Sequence, residues 1–366
     1  MGKRLKKVFI FAYKEMNLGD DLFILHLVKR YPETRFIMIA NKEYHAKWKS
    51  ITNLKVYDKY SIVHKCLQKF RLYEKWEEAI IHSCDYAVYI GGSVFMEYER
   101  WTEQYQWYEK LFDNSKLFFI GCNWGPCKTD TFHRNMKNVL SNMRDVCFRD
   151  MASFNAFCEL KNVRYAPDIL FGTVFPETVP KKQIFISVID CPSKEEGGKT
   201  LHQYEASYLS NLKILIEFFA EKEYEIKLVS FCEKEKDSIA INKLKSKLTR
   251  ESLSCISEIS YDGDNWNDVL REIKASSLIV GSRFHAVILG LAANVPVFPM
   301  IYSDKTLNVL SDLRFKGEYL DIRVPQEIKM EDIYMSLEQW EKPEDLSSWI
   351  EKTNQHFLVL DETLSE

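Results

Sequence analysis

A chain of 366 residues exceeds one ordinary core; at roughly 150 residues per domain it holds two or three. Hydrophobic residues make up 46%, which excludes disorder as the main state. Lys+Arg number 50 against 53 Asp+Glu, and the resulting charge of −3 argues against a dedicated nucleic-acid binder.

Lys3, Arg4, Lys6 and Lys7 precede an apolar run, Val8–Ala12, that is too short for the core of a signal peptide. This basic start reads as a solvated end before the first strand, with an anionic membrane surface as the alternative contact. Val8–Tyr13 reads as a strand and Asp20–Tyr31 as a helix. Phe36–Ala40 and Val56–Tyr57 read as strands, and Ile62–His82 as mostly helix. Asp85–Ile90 is a strand ended by Gly91-Gly92. Trp101–Phe112 reads as helix, Leu117–Gly121 as strand, Phe132–Met143 as helix, Val146–Phe148 as strand and Met151–Leu160 as helix. The segment 175–183 contains two prolines and charge, as a domain boundary does. The alternation then restarts: strand Ile184–Ile189, helix Tyr204–Phe219, strand Tyr224–Phe231, helix Lys234–Leu248, helix Trp266–Ala275, strand Leu278–Gly281, helix Ala286–Ala293, strand Val297–Ile301 and helix Thr306–Leu313. Helical stretches, Met330–Trp340 and Leu346–Asn354, follow Pro325. Leu278–Ile301 is too interrupted by Arg283, His285, Asn294 and Pro296 to span a bilayer. The nine cysteines form no CxxC pair and read as free thiols of a reducing compartment. Repeated βα units predict parallel sheets with helices on both faces, here two doubly wound α/β domains facing a cleft.

In such sheets ligands sit at the carboxyl ends of strands, so the residues following each strand matter most. With only 13 glycines in the chain, those at strand ends are informative. Gly19 suggests a tight turn and Asp20 a helix cap. Gly91 and Gly92 allow close approach of backbone. Arg149 ends an apolar strand and must either pair with Asp150 or Asp168 or face an anion. The sharpest cluster is Gly281-Ser282-Arg283-Phe284-His285. Ser282 fits an N-cap, Arg283 is an anion clamp by its chemistry, and His285 titrates near neutrality. Lys305 follows the next strand and adds positive charge. Together Arg149, Arg283, Lys305 and one histidine suit a compact, multiply charged anion. No zinc-ligand spacing, GxxxxGK[ST], GxGxxG or GxSxG motif is present, and no metal is expected.

The order and spacing of these residues resemble the polysaccharide pyruvyl transferases. The resemblance rests on Asn17-Leu-Gly-Asp20, Gly91-Gly92, Gly121 before Asn123-Trp-Gly-Pro126, Arg149-Asp-Met-Ala-Ser153 and Ala166-Pro-Asp168. Its most specific part is Ser282-Arg-Phe-His285 followed by Ala292-Ala-Asn-Val-Pro296, with Lys305 where the family has a lysine. It covers roughly residues 8–315. Asn294 departs from the glycine the family often has, and segment 190–203 matches loosely.

The resemblance implies a glycosyltransferase-B-like pair of Rossmann-like domains: 1–178 on the acceptor side, 179–325 on the phosphoenolpyruvate side, and a helical tail, 326–366. It implies phosphoenolpyruvate as co-substrate, no cofactor, and a sugar acceptor on a surface polysaccharide or its lipid-linked precursor, modified as a pyruvate ketal. It places the protein in the cytoplasm, at the inner face of the membrane where the acceptor is lipid-linked. His285, Arg283 and Asp20 would be catalytic. Arg149, Ser282, Lys305 and Gly281 would bind the donor. Asn17, Gly19, Gly91, Gly92, Asn123 and Asp168 would form the acceptor side or its loops. Two other readings compete: a glycosyltransferase with a nucleotide-sugar donor, for which Asp304 is the candidate ribose carboxylate, and a non-catalytic glycan-binding protein, which the intact Arg283–His285 pair disfavours. Trp101, Tyr105, Trp107 and Tyr108 read as packing before sugar stacking. Oligomeric state leaves no mark on the sequence.

Overall fold

A computed structural model describes residues 4–59, 61, 69, 73–111, 116–196, 198–324, 326–343 and 346–366. Lys3, Cys66, Phe112, Pro325 and most of the expected helix before Tyr73 lie outside the described residues. The chain forms two compact units. The first comprises Met1–Glu15, Asp20–Ile169 and Asn354–Glu366, the second Met16–Gly19 and Leu170–Thr353.

The first unit is built on strands β1 (Lys7–Phe11), β2 (Arg35–Ala40), β3 (Leu54–Asp58), β4 (Tyr86–Ile90), β5 (Ser93–Phe95), β6 (Leu117–Trp124), β7 (Asp145–Phe148) and β8 (Val163–Tyr165). They run in the order β3-β2-β1-β4-β6-β7-β8, with β5 on β6, and every pairing is parallel. Segments such as Phe36–Ala40 and Leu117–Gly121 are continuous apolar runs because a parallel sheet is covered on both faces. Phe9, Phe95, Tyr108, Phe119 and Phe148 form the aromatic centre of one face. The three-residue strands β5 and β8 are too short to show a period. The helix expected to Leu160 stops at Asn155. Phe157 turns inward there against Trp124 and Phe148, and that tertiary contact outweighs local helix propensity.

The second unit has β9 (Gln183–Ser187), a small antiparallel hairpin of β10 (Glu195–Glu196) and β11 (Lys199–Thr200), β12 (Glu225–Ser230), β13 (Ile256–Ser260), β14 (Leu278–Gly281), β15 (Val297–Ile301) and β16 (Leu320–Asp321). The main sheet is parallel in the order β13-β12-β9-β14-β15-β16. The helix Glu205–Glu221 buries Tyr208, Leu212, Leu215, Ile216 and Phe219 against it, the register its spacing predicts. Strand β13 escapes the sequence reading because it is a half-exposed edge rather than an apolar run.

The boundary falls after Ile169 rather than after Thr178, and the tail is not a separate appendage. Ile328 and Ile333 join the core of the second unit, where the Ile328 N–H donates to Asn211 Oδ1 at 3.0 Å. The last residues join the first unit. Arg30 grips Asp361 through Nε and Nη2 at 2.9 and 2.6 Å, and buried His356 places Nε2 2.7 Å from the Pro167 carbonyl oxygen. Among the described residues the cysteines are free thiols, five of them buried. No described helix is long and apolar enough to cross a membrane.

Candidate active site

Ligands of open parallel sheets collect where the strand order reverses. In the second unit the chain moves from β9 outward to β12 and β13, then restarts at β14 and moves the other way. The reversal lies between β9, which ends on Ser187, and β14, which ends on Gly281.

The following helix is Phe284–Ala292, two residues longer at its start than the apolar pattern suggests, so His285 lies in its first turn. Its N-cap is Arg283, which makes no side-chain cap bond. Instead the Ser282 and Arg283 N–H groups both donate to Ser187 Oγ, at 3.0 and 3.1 Å. A hydroxyl from the neighbouring strand thus replaces the expected Ser282 cap. Buried Ser282 pairs with the Tyr208 hydroxyl at 2.8 Å, which fixes the turn. Gly281 serves packing: a Cβ there would stand 2.7 Å from Val287 Cγ2.

Arg283 is 6% exposed. Its Nε donates to Asp237 Oδ2 at 3.0 Å, Nη2 to Asp237 Oδ1, and Nη1 to Glu235 Oε2. Asp237 is also fixed by the Phe231 and Cys232 N–H groups, at 3.0 and 3.1 Å. Arg283 is therefore held by two carboxylates, not presented as a free clamp. Lys194, which the sequence reading passes over, pairs with the same Glu235 oxygen. Burial, then neighbouring Arg283, pulls its ammonium down to about 7. Lys305 lies in the first turn of helix Asp304–Asp312, with Nζ 5.6 Å from the centre of the Phe284 ring.

Asn17 belongs to the same unit. Its Oδ1 accepts the Gly19 N–H at 3.1 Å and its Nδ2 donates to Glu235 Oε1 at 3.2 Å. A Cβ on Gly19 would lie 1.6 Å from His285 Nδ1, so the imidazole rests directly on the glycine backbone. Close approach, rather than the expected tight turn, is what requires glycine here. Gly19→Ala should displace His285 and lower turnover by about 10²-fold, the cost of misplacing a reacting group by an ångström. Far-UV circular dichroism should stay unchanged. Full activity in this variant would show that the imidazole is not used where it stands.

In the first unit the reversal lies between β1 and β4. Gly91, at φ +142°, follows β4, and Asp20 Oδ1 is 3.6 Å from where its Cβ would be. Gly92 covers the Arg149 guanidinium, whose Nη2 would be 2.3 Å from an added Cβ. Arg149 is 2% exposed; Nη1 donates to Asp168 Oδ2 at 2.9 Å and Nη2 to Asn123 Oδ1 at 2.8 Å. Gly92, Asn123, Arg149 and Asp168 thus form one interior network. Of the partners the sequence allows Arg149, the structure pairs it with Asp168, because a buried guanidinium takes the nearest carboxylate. Asp150 caps the next helix instead, accepting the Ser153 N–H at 2.8 Å.

A hollow opens at this reversal, lined by Phe11, Lys14, Tyr89, Tyr98, Gln104 and Trp107. Lys14 donates to the Ile39 carbonyl at 2.6 Å, and burial lowers it to about 8. Trp101 packs edge-on to Phe132, and Tyr108 is buried beside Phe95 and Phe119, so both are packing residues. Partly buried Tyr105 also packs against this core. Trp107 packs on Phe11 and also lines the hollow. Another cavity of the second unit, near Phe315 and Trp340, starts at Val297, the opposite end of β15 from Lys305. Among the described residues no group of His, Cys, Asp and Glu is placed to hold a metal ion.

The family model for polysaccharide pyruvyl transferase matches residues 17–304, from the Asn17 cap to the start of the Lys305 helix. The chain belongs to the polysaccharide pyruvyl transferase family. Membership makes it a transferase of polysaccharide modification. A search of curated proteins found no match. Solved structures agree on the fold. Anabaena HepE, in complex with UDP and glucose, gives a TM-score of 0.58 at 12% identity, covering 99% of this chain and 100% of that one. A glycosyltransferase from Rickettsia africae gives 0.54 at 11% identity, covering 100% and 98%. A UDP-glucose:anthocyanidin 3-O-glucosyltransferase with bound UDP gives 0.51 at 12%, covering both chains fully. This pyruvyl transferase family member therefore has a glycosyltransferase-B-like fold.

Proposed function

We propose that the protein transfers pyruvate from phosphoenolpyruvate to two hydroxyls of one sugar in a surface polysaccharide or its lipid-linked precursor. The single observation that supports this most is the set Lys194, Arg283 and Lys305 beside His285 at the strand reversal of the second unit. Those groups match a small donor with both a phosphate and a carboxylate.

The reaction balances without water or redox change. One sugar hydroxyl adds to the enol carbon that bears the phosphate, and the methylene carbon gains a proton to become methyl. The second hydroxyl then adds to the same carbon as the carbon–oxygen bond to phosphate breaks, and its proton leaves with inorganic phosphate. His285 acts as general acid or base in these proton movements, and Asp20 is its proposed complementary carboxylate. Lys305 stabilises charge as phosphate departs, and the Lys194–Arg283 pair holds the donor. With a lipid-linked acceptor the reaction takes place at the cytoplasmic face of the membrane.

A nucleotide-sugar donor is the second reading, favoured by fold neighbours solved with UDP. Asp304, its candidate ribose carboxylate, is already paired with Arg323 at 2.7 Å. Release of phosphate with a mass gain on the sugar tests the first reading; release of nucleotide supports the second.

A further inference from the structure

Glu235 differs from its neighbour Asp237 in one respect that matters for ligand binding. Asp237 is fully buried and fixed by two backbone N–H groups, whereas the Glu235 side chain is 22% exposed and has a path to solvent. Glu235 ends the short 3₁₀ turn Glu233–Glu235, and Lys236 beyond it adopts a left-handed conformation at φ +64°. One oxygen of Glu235 accepts from both Lys194 Nζ and Arg283 Nη1, and the other accepts from Asn17 Nδ2 at 3.2 Å. Two oxygens, three donors and open water on one side describe a carboxylate-binding seat. With Glu235 in it and Lys194 protonated, the contacting charges of Lys194, Arg283, Asp237 and Glu235 cancel. Without Glu235 they leave one net positive charge, which Lys305 reinforces.

We infer that Glu235 is a resident stand-in for the carboxylate of the donor, and that Lys194, with Arg283, is a donor-binding residue from which Glu235 swings away when the donor arrives. This inference rests on the phosphoenolpyruvate reading for the identity of the ligand, but the seat itself is tested with a simpler anion. The stand-in holds Lys194 and Arg283 in position while the seat awaits a ligand, because two adjacent cations would otherwise repel and draw in water. Its displacement exchanges one carboxylate for another on the same donors, so the geometry needs little rearrangement. A donor with only a neutral head cannot make this exchange, and the seat thereby selects for a carboxylate.

The test is isothermal titration of the full chain with oxalate, alongside phosphoenolpyruvate turnover. Glu235→Gln removes the competing charge and should tighten oxalate by roughly fivefold or more, the low end of ordinary site coupling. Glu235→Asp, too short to reach both cations, should tighten it in the same direction. Lys194→Met should weaken oxalate binding in either background. A merely structural Glu235 predicts unchanged or weaker oxalate binding in both variants, and that result overturns the inference. Tighter oxalate binding in a protein that turns over no phosphoenolpyruvate would leave the seat standing and remove the donor reading instead.

Discussion

His285→Ala is expected to lower pyruvyl transfer by roughly 10²- to 10⁴-fold, the usual contribution of a positioned general acid or base. The thermal midpoint should move by less than about 4 °C, because the residue is half-buried and its removal leaves the helix Phe284–Ala292 anchored by six buried side chains. The imidazole lies against the Gly19 backbone and meets the Phe284 ring edge-on, with centroids 5.1 Å apart. Those contacts orient the ring without committing the protein core to it. Activity retained near the wild-type level would remove His285 from the chemistry. A large drop in thermal midpoint would mean that the lost turnover reports damage rather than catalysis.

Asp168→Ala is expected to cost about 3–5 kcal/mol of stability, the cost of leaving a buried guanidinium without its carboxylate. Arg149 and Asp168 are 2% and 0% exposed and lie at 2.9 Å, so no solvent is at hand to replace the lost partner. Asn123, a neutral acceptor at 2.8 Å, cannot balance the charge. The double replacement Arg149→Met with Asp168→Leu should recover most of the loss, since an apolar pair of similar volume removes both desolvation penalties. Urea unfolding midpoints of the three proteins check this. A loss under about 1 kcal/mol in Asp168→Ala would show that the buried Arg149 charge does not depend on Asp168.

The sequence makes the sheets legible because parallel strands buried on both faces appear as short apolar runs, Phe36–Ala40 and Leu117–Gly121 among them. It exposes the site to the extent that polar residues and glycines follow those runs. Gly19, Arg149, Arg283 and His285 are recognisable in this way, but their partners are not. Ser187 is the last residue of an apolar strand, and its capping of Ser282 and Arg283 follows from the pairing of β9 with β14. Asp237 falls inside the stretch Lys234–Leu248, which reads as one helix, yet that helix begins at Asp237 itself, which turns inward to Arg283. Lys194 sits in a segment without periodicity, and a lysine in such a segment is ordinarily solvated. The turn Cys191–Ser193, which ends on Lys194, brings it beside Arg283. Local pattern shows which residues are unusual, while tertiary pairing decides which of them meet a ligand and which, like Arg149, meet each other.

The most direct test of the central claim is incubation of the protein with phosphoenolpyruvate and candidate glycans, following released phosphate and the mass of the sugar together. The account predicts one phosphate released per sugar modified, with the sugar gaining the mass of pyruvate less one water. Phosphate release without that mass gain, or sugar transfer from a nucleotide-sugar donor with release of nucleotide, would contradict it.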